Sequence, residues 1–255
     1  MPTYRKIEMM ICTAARYLED GKSVAVGTGA PCAAAMLAQK THAPNLVVAF
    51  EAGGFAPILP QMPISVGDSR TAFHAVMAAG MSDMMSSCAR GLIDYAFLGG
   101  AQVDRFGNLN STVIGDYRRP KVRFPGSGGA NDFASMCWRT IVITVQNPMR
   151  FVEKLDFVTS PGFLAGHGDR RRAGLPPQTG PYRIITDLAV LGFDEATRAM
   201  CVLSVHPGIT IEEVQRNTGF QLLVPDDLGQ TPIPTPEQIK LLREDVDPLG
   251  YVTGR

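Results

Sequence analysis

This 255-residue sequence has no excess of positive or negative charge, no long apolar run and no closely spaced pair of cysteines. Its 24 lysines and arginines balance 24 aspartates and glutamates, and no basic block occurs, so nucleic acid and anionic membrane surfaces are not expected partners. No segment approaches the ~18 consecutive apolar residues of a membrane helix, and the first residues show no signal-peptide core. We therefore expect a cytoplasmic globular protein.

The cysteines and histidines also lack the spacing of a metal or disulfide site. The five cysteines are odd in number, widely spread and set in apolar surroundings, which predicts reduced thiols in a protein core. The four histidines are scattered, and none has metal-ligand spacing. We predict no metal and no bound prosthetic group. The cysteines are Cys12, Cys32, Cys88, Cys137 and Cys201.

Glu51 is the most informative residue, because it ends the apolar run of residues 46–50 and precedes Ala-Gly-Gly. The run is short, continuously apolar and rich in β-branched residues, which predicts a buried parallel strand. In open α/β sheets, reactive groups collect at the carboxyl ends of strands. Glu51 is therefore a candidate nucleophile or base. On this segment alone, a Glu that caps the next helix or forms an ion pair is an equally good interpretation.

Strand-like and helix-like patterns alternate along the chain. Residues 23–27 predict a strand, residues 31–41 a helix of small residues, and residues 46–50 the next strand. This alternation is typical of an α/β fold with a mostly parallel sheet flanked by helices. Further strands are predicted at 94–103, 140–145, 157–158, 182–191 and 198–205, and further helices at 5–20, 71–91, 211–219 and 236–244.

Two further segments give local predictions. Residues 166–179 contain two prolines and the arginine run 170–172, and we expect a surface loop with solvated charges. The predicted helix at 71–91 carries four methionines, which we expect to fill the core.

Glycine and asparagine are concentrated between residues 99 and 131. Asn108 and Asn110 stand in a turn-like segment, where asparagine also has a purely conformational use. Residues 126–131, Gly-Ser-Gly-Gly-Ala-Asn, form a loop whose backbone N–H groups could hold a phosphate or an oxyanion. The loop fits neither common nucleotide-binding glycine pattern, so alone it does not predict a nucleotide site.

Together these segments resemble the β subunits of class I CoA-transferases, and in particular those of the glutaconate CoA-transferase type. The likeness covers nearly the whole chain, and its longest block is residues 99–131. The other matching segments are VGTG at 26–29, APN at 43–45, Glu-Ala-Gly at 51–53, SVGD at 65–68, KLDFVTSPGF at 154–163, TGF at 218–220 and KLLREDVDP at 240–248.

The resemblance implies a fold of the CoA-transferase and ribose-phosphate isomerase-like kind. We expect one domain over residues 1–220 and a C-terminal extension over 221–255 that packs on the domain or on a partner. The implied partner is an α subunit of the same enzyme, in αβ pairs that assemble further. Coenzyme A would enter as a thioester substrate, together with a free carboxylate.

The resemblance also implies ping-pong chemistry. The family's glutamate attacks an acyl-CoA to form a mixed anhydride, and the released thiolate then forms a glutamyl-CoA thioester that a second carboxylate consumes. By position, Glu51 would be this nucleophile. We expect an oxyanion or CoA contact from Gly128, Gly129, Ala130 and Asn131. We expect an acyl pocket lined by Gly53, Gly54, Asn108, Asn110 and Tyr117.

Several alternatives stay open at this point. Relatives of this fold hydrolyse carbon–carbon bonds or decarboxylate CoA thioesters, and Glu51 could serve there as acid or base. Because those branches replace the transferase glutamate, its presence favours transfer. A sugar-phosphate isomerase shares the fold, and a purely structural role is a further hypothesis, which the Glu51 and 126–131 segments disfavour. The acyl group stays open among glutaconate and aromatic, alicyclic or steroid-derived acids.

Overall fold

The computed structural model describes residues 4–254, and it divides the chain into two compact units. One unit comprises Met1–Phe97 and Pro232–Arg255, and the other comprises Leu98–Thr231. Residues 1–3 and 255, which belong to the predicted domain and extension, lie outside the described part. The division of the chain into a domain and an extension at residue 220 stays a prediction.

Short strands and helices alternate through most of the chain. The helices are α1 (Lys6–Ala15), α2 (Ala30–Lys40), α3 (Met81–Ala89), α4 (Ala130–Met136), α5 (Asp169–Arg172), α6 (Ile211–Arg216) and α7 (Pro236–Leu241), which continues as a π-helical turn, Leu242–Val246. The strands are β1 (Ser23–Val26), β2 (Val47–Phe50), β3 (Gly54–Phe55), β4 (Met77–Ala78), β5 (Tyr95–Leu98), β6 (Gln102–Val103), β7 (Leu109–Asn110), β8 (Val113–Gly115), β9 (Pro120–Arg123), β10 (Arg139–Ile143), β11 (Pro181–Ile185), β12 (Ala189–Phe193), β13 (Met200–Val205) and β14 (Gly229–Gln230).

The first unit is organised around parallel strands. β1 pairs in parallel with both β2 and β5, while β3 and β4 extend the order beyond β2 in antiparallel pairs. All four residues of β1 are buried, as expected for a parallel strand covered on both faces. α1 and α2 pack against each other, and the run of alanines in α2 allows a close approach. This unit therefore presents the carboxyl ends of β1 and β2 at the same edge.

Within the first unit, hydrogen bonds join the C-terminal segment 243–253 to α1. The Arg243 guanidinium donates to Glu8 Oε1 and Oε2 at 2.6 and 2.8 Å, and the Arg5 backbone N–H donates to Glu8 at 2.7 Å. The Glu8 side chain is 1% exposed. The buried Asp247 carboxylate then accepts three backbone N–H groups at 2.8–3.0 Å, from Tyr251, Val252 and Thr253. These charge-assisted bonds order residues 243–253.

Replacing Glu8 with Gln is expected to lower the free energy of unfolding by about 1–3 kcal/mol near neutral pH, because Arg243 loses a buried anionic partner. Burial raises the pKa of Glu8, but the bonds from Arg243 and Arg5 outweigh it and hold the pKa below its ordinary value of 4.5. The stabilisation is thus present above that value and is lost as pH falls through the lower, folded pKa. Urea unfolding should show the difference from wild type shrinking in acid, with exposed Glu195→Gln as control. An equal difference in acid and at neutral pH would contradict this assignment.

The second unit combines parallel and antiparallel pairing. β10 and β11 are parallel, β11, β12 and β13 form an antiparallel meander, and β14 lies parallel to β13. Two hairpins, β6 with β7 and β8 with β9, form small separate sheets. The predicted fold class, an α/β architecture with a mostly parallel sheet flanked by helices, is confirmed.

Several predicted strands have different limits. The predicted strand at 182–191 is a hairpin of β11 and β12, because the Thr186 hydroxyl accepts the N–H groups of Leu188 and Ala189 and closes a turn. The predicted strand at 94–103 is interrupted after β5, where a Gly-Gly pair precedes β6. Residues 157–158 are not in a strand, so that prediction was wrong.

The predicted helix at 71–91 was too long. A 3-10 turn (Ser69–Ala72) and β4 precede α3, which begins only after its N-cap residue Gly80. Pairing of β4 with β3 replaces the first helical turns. Met84 is fully buried, whereas Met77 and Met81 are 44% and 54% exposed, so only part of the methionine group fills the core.

The prediction that the arginines at 170–172 are solvated was wrong for one of them. The run forms α5, and Arg170 is 7% exposed. Its guanidinium donates to the carbonyls of Gly162 and Ser135 at 2.8 and 3.0 Å and to Thr179 Oγ1 at 2.7 Å. Arg170 is therefore buried because backbone carbonyl groups accept its N–H groups, and no sequence pattern indicates which carbonyls will do so.

The five cysteines are free thiols, and four of them are buried. Burial raises the pKa of Cys12 and of Cys32 to about 12, so neither is a reactive thiolate near neutral pH. Over residues 4–254, the helices are too short or too polar to cross a bilayer.

Candidate active site

Glu51 stands on a tight turn at the carboxyl end of β2. The Gly53 N–H donates to the Phe50 carbonyl at 2.9 Å, so Glu51 and Ala52 are the two central residues of a β-turn. Gly53 has φ +105°, and the chain then returns as β3. Glu51 is half-buried. The turn fixes its backbone at the edge where parallel strands end, as the sequence predicted for this strand.

The two glycines after Glu51 are required by close backbone packing. A Cβ on Gly53 would lie 2.4 Å from the Ala79 carbonyl oxygen, and one on Gly54 would lie 1.9 Å from that of Thr71. The Ala79 N–H also donates to the Gly53 carbonyl at 2.9 Å. Backbone therefore fills the side of each glycine where a Cβ would project, and the assignment of Gly53 and Gly54 to an acyl pocket stays a prediction.

A loop with no role predicted from the sequence lies beside Glu51. The parallel register pairs Val26 of β1 with Phe50 of β2, so residues 27–29 leave the sheet next to the Glu51 turn. Gly29 has φ +81° and precedes α2. The signal was present in the sequence, since residues 27–29 are two glycines flanking a threonine directly after a buried strand.

An ion pair orders the segment that follows the Glu51 turn. The Asp68 carboxylate accepts the backbone N–H groups of Ile64 and Arg70 and pairs with the Arg70 guanidinium, which also donates to the Met62 carbonyl at 2.9 Å. The bonds from Arg70 hold the pKa of Asp68 well below its usual range. This pair, which stays ionised at neutral pH, holds residues 62–70 in a folded loop. The loop leads into Thr71, whose carbonyl lies against Gly54 of β3.

Asn108 and Asn110 are buried within the second unit. The Asn108 amide donates to Asp104 and to the Leu164 carbonyl, both at 2.8 Å, and its oxygen accepts the Gly162 N–H at 2.7 Å. The Asn110 amide donates to Gln102 and to the Val113 carbonyl at 2.7 and 2.6 Å, and its oxygen accepts N–H groups of the same turn. Their polar atoms thus bridge loops of this unit. An acyl-pocket role for either residue stays a prediction.

Asn108→Ala is expected to lower the free energy of unfolding by about 2–4 kcal/mol, because it leaves the buried Gly162 N–H without its acceptor and opens a cavity. Burial raises the pKa of the neighbouring Asp104, although the hydrogen bonds that its carboxylate accepts act in the opposite direction. The substitution removes one of those bonds, the one from the Asn108 amide. Asn131→Ala is the matched control, because Asn131 is exposed, and its effect should stay within about 0.5 kcal/mol. Equal effects in urea unfolding would contradict this interpretation.

Tyr117 extends from the β8–β9 hairpin and is 55% exposed. Its ring stacks on Phe157 with centroids 5.4 Å apart, and the Arg123 guanidinium lies 4.7 Å from the ring centre. The ring is therefore held in position while much of its surface remains open. Its place in an acyl pocket stays a prediction.

The glycine-rich loop at 126–131 closes on itself before α4. The Ala130 N–H donates to the Ser127 carbonyl at 2.9 Å, and the Asn131 N–H donates to Ser127 Oγ at 3.0 Å. Gly128 has φ +49°, and Gly129 is the N-cap residue of α4. Two of the N–H groups in the predicted oxyanion segment thus have acceptors inside the loop. The oxyanion and CoA-contact roles of Gly128, Gly129, Ala130 and Asn131 stay predictions.

The structure brings some of the predicted residues together. Ser111, next to Asn110, exchanges two hydrogen bonds with Gly126, each 3.0 Å long, so the asparagine turn and the 126–131 loop are adjacent. Glu51 belongs to the first unit and this pair of segments to the second. Across residues 4–254 there is no group of three or more His, Cys, Asp or Glu side chains placed to hold a metal ion.

Comparison with known proteins places these features in one family. Residues 7–217 match the family model described as Coenzyme A transferase. The B-type subunit of 3-oxoadipate CoA-transferase from Pseudomonas knackmussii is 40% identical over 244 residues, which are 95% of this chain and 94% of that protein. The B-type subunit of glutaconate CoA-transferase from Acidaminococcus fermentans is 41% identical over 253 residues, 96% and 93% of the two chains.

Solved structures agree with the sequence matches. The crystal structure of glutaconate coenzyme A-transferase from Acidaminococcus fermentans has a TM-score of 0.95 and 37% identity, covering 99% of this chain and 98% of that one. The decarboxylase AibA/AibB has a TM-score of 0.83 and 25% identity, covering 97% and 96%.

Proposed function

Because this chain belongs to the coenzyme A transferase family and is a CoA-transferase subunit of the B type, we propose that Glu51 is its covalent nucleophile. The observation that carries the proposal is the placement of Glu51. It is a carboxylate at the carboxyl end of a buried parallel strand, on a turn whose backbone is held by Gly53 and Gly54.

The proposed chemistry has two matched halves. A Glu51 carboxylate oxygen attacks the acyl-CoA carbonyl carbon, and the carbon–sulfur bond breaks. CoA thiolate departs, and a mixed anhydride between Glu51 and the acyl group is formed. The thiolate then attacks the γ-carbonyl of Glu51, which releases the first carboxylate and forms a glutamyl-CoA thioester. An incoming carboxylate reverses these steps and departs as the new acyl-CoA. No redox change and no net proton transfer are required.

Carboxylates are weak nucleophiles in water, so the site must exclude solvent and stabilise a developing oxyanion. Half-burial of Glu51 supports the first requirement. For the second we propose backbone N–H groups of the 126–131 loop. Ala130 and Asn131 already donate to Ser127, and the loop would therefore have to offer the Gly128 N–H or rearrange when substrate binds.

The two relatives that match most of the chain are named as B-type subunits, and we propose that this chain likewise works with an α partner. We propose a free acyl-CoA and a free carboxylate as its substrates, with coenzyme A entering only as a thioester. The names of the relatives suggest dicarboxylic acids, glutaconate and 3-oxoadipate, as the first acids to assay.

Initial-rate kinetics test this proposal. The chain would be co-expressed with its α partner, and transfer measured while acyl-CoA and carboxylate are varied together. Parallel double-reciprocal lines are expected, since the first product leaves before the second substrate binds. Intersecting lines would contradict the glutamyl-CoA route.

A second candidate function is supported by the match to the decarboxylase AibA/AibB. In that case Glu51 would act as acid or base on a CoA thioester, as a decarboxylase or a carbon–carbon hydrolase requires. Consumption of acyl-CoA with no carboxylate acceptor, with release of CO2 or of a ring-opened product, would favour it over transfer.

A further inference from the structure

A groove in the second unit contains none of the residues assigned to the candidate active site. It has a volume of about 540 Å³, which is within the range of small-molecule sites. Its walls come from α5, from the loop that follows α5 and from the start of β10 and β11. Among the described residues that line it there is no Asp or Glu.

The groove is strongly cationic. Arg139, Arg171 and Arg198 line it, and Arg170 forms part of its inner wall. The flanking carboxylate of Asp169 is engaged elsewhere, since it pairs with Arg172. Arginine clusters of this kind suit phosphate, which accepts paired N–H donors.

A second carboxylate, Asp194, lies on the turn before β13. It accepts the N–H and the hydroxyl of Thr197, both at 2.7 Å. These bonds, with a smaller contribution from Arg198, lower the pKa of Asp194. Asp194 is thus an ionised group that offsets part of the Arg198 charge but does not line the groove.

The buried guanidinium of Arg170, in the inner wall of the groove, is not paired with a carboxylate among the described residues. In the described chain, Arg170 has carbonyl groups and the Thr179 hydroxyl as its acceptors, and no acidic side chain pairs with it. Burial lowers the pKa of Arg170 to about 10, so it is still charged at neutral pH. A buried cation without a counter-ion favours an anion nearby.

Aromatic surface accompanies the charge. Trp138 is 40% exposed and lines the groove, as do Phe163 and Tyr182. Arg139 lies 5.0 Å from the centre of the Tyr182 ring, and Arg198 lies 5.2 Å from that of Phe163. Rings of this kind are stacking surfaces for a planar base.

The backbone of the groove is held in an uncommon geometry. Gln178 and Arg198 line the groove with φ of +66° and +62°, although both carry a Cβ. Backbone geometry of this kind is unfavourable for residues with a Cβ and is concentrated at ligand sites.

We propose that this groove binds the phosphorylated portion of a nucleotide, with arginines on the phosphates and Trp138 against the base. The same chemistry has two sources: the 3′-phosphorylated nucleotide end of coenzyme A, or a free nucleotide acting as an effector. The first source rests on the proposed function; the groove itself does not.

Trp138 is the single tryptophan of the chain and provides the readout. The complex with the α partner would be titrated with ADP, adenosine 3′,5′-bisphosphate, coenzyme A and pyrophosphate. Subtracting a Trp138→Phe complex isolates the fluorescence of the groove. Saturable quenching by the nucleotides is expected, with pyrophosphate binding more weakly. No saturable change with any nucleotide, or pyrophosphate binding as tightly as ADP, would overturn the proposal.

Matched charge variants locate the site. Arg139→Gln combined with Arg171→Gln should raise the Kd at least about tenfold, which corresponds to about 1.4 kcal/mol. Arg90→Gln combined with Arg216→Gln removes two charges from exposed positions outside the groove and should change the Kd by less than about twofold. A similar loss in both would overturn the assignment.

The ligand series separates the two sources. Tighter binding of coenzyme A and adenosine 3′,5′-bisphosphate than of ADP identifies the nucleotide end of coenzyme A, and equal binding identifies a free nucleotide. Binding is measured without turnover and can be repeated in a Glu51→Gln complex. The test of the groove therefore does not depend on the transferase chemistry.

Discussion

Glu51→Gln should lower kcat for CoA transfer by about 10⁴-fold or more while leaving the protein folded. The amide keeps the size and shape of the side chain but replaces one accepting oxygen with a donating NH2 group. It is not a competent nucleophile, so neither the anhydride nor the thioester can form. Losses of this size are typical when a covalent nucleophile is removed. Steady-state assay of the complex with its α partner measures the effect.

Two controls make the Glu51 result specific. Glu195→Gln changes an exposed glutamate of the second unit and should leave kcat within about twofold. Urea unfolding of Glu51→Gln should show one cooperative transition, as in wild type, because the backbone bond from Gly53 to Phe50 that closes the turn is kept. Transfer retained within about tenfold in Glu51→Gln would remove Glu51 from the role of nucleophile.

Gly54→Ala should lower the free energy of unfolding by about 3 kcal/mol or more and reduce activity with it. The new Cβ would lie 1.9 Å from the Thr71 carbonyl oxygen, so β3 must move away from the 3-10 turn. Overpacking of this kind costs about 1–3 kcal/mol when side chains can yield, and here the obstacle is backbone. Because β3 follows directly from the Glu51 turn, the displacement also moves the candidate nucleophile.

Gly229→Ala is the matched control for this prediction. It lies on β14, and a Cβ there would meet no atom within 4 Å. Its effect on urea unfolding should stay within about 0.5 kcal/mol. A Gly54→Ala protein with wild-type stability and activity would show that the close approach of Thr71 is not needed to hold the Glu51 turn.

Local sequence patterns predicted what depends on nearby residues. The buried run before Glu51 is apolar and β-branched, and it became β2 with Glu51 directly after it. The alternation around α2 gave the parallel pairing of β1 with β2. Both features follow from the sequence pattern of residues 23–51.

Patterns failed where distant contacts decide the outcome. Arg170 stands in a run that indicates a solvated surface, yet carbonyls from residues 134–135 and 161–162 bind it in the interior. The close approach of the Ala79 and Thr71 backbone to Gly53 and Gly54 joins segments distant in sequence, and no local pattern indicated it. Composition alone contains no information about which backbone group meets which side chain.

The site was predictable in part for the same reason. Strand-end placement predicted Glu51 as the candidate nucleophile, and the resemblance to a known family, longest over residues 99–131, supplied the proposed chemistry. The hydrogen bonds that turn Asn108 and Asn110 inward join residues up to 56 positions apart, and only the folded structure shows them.

Mass spectrometry of the acceptor-free reaction tests the central claim most directly. The complex would be incubated with acyl-CoA but no carboxylate acceptor, quenched in acid and digested. We expect coenzyme A attached at Glu51, lost when a carboxylate is added and absent from Glu51→Gln. Consumption of acyl-CoA without any adduct at Glu51 would contradict the transferase mechanism and leave Glu51 as an acid or base in a repurposed fold.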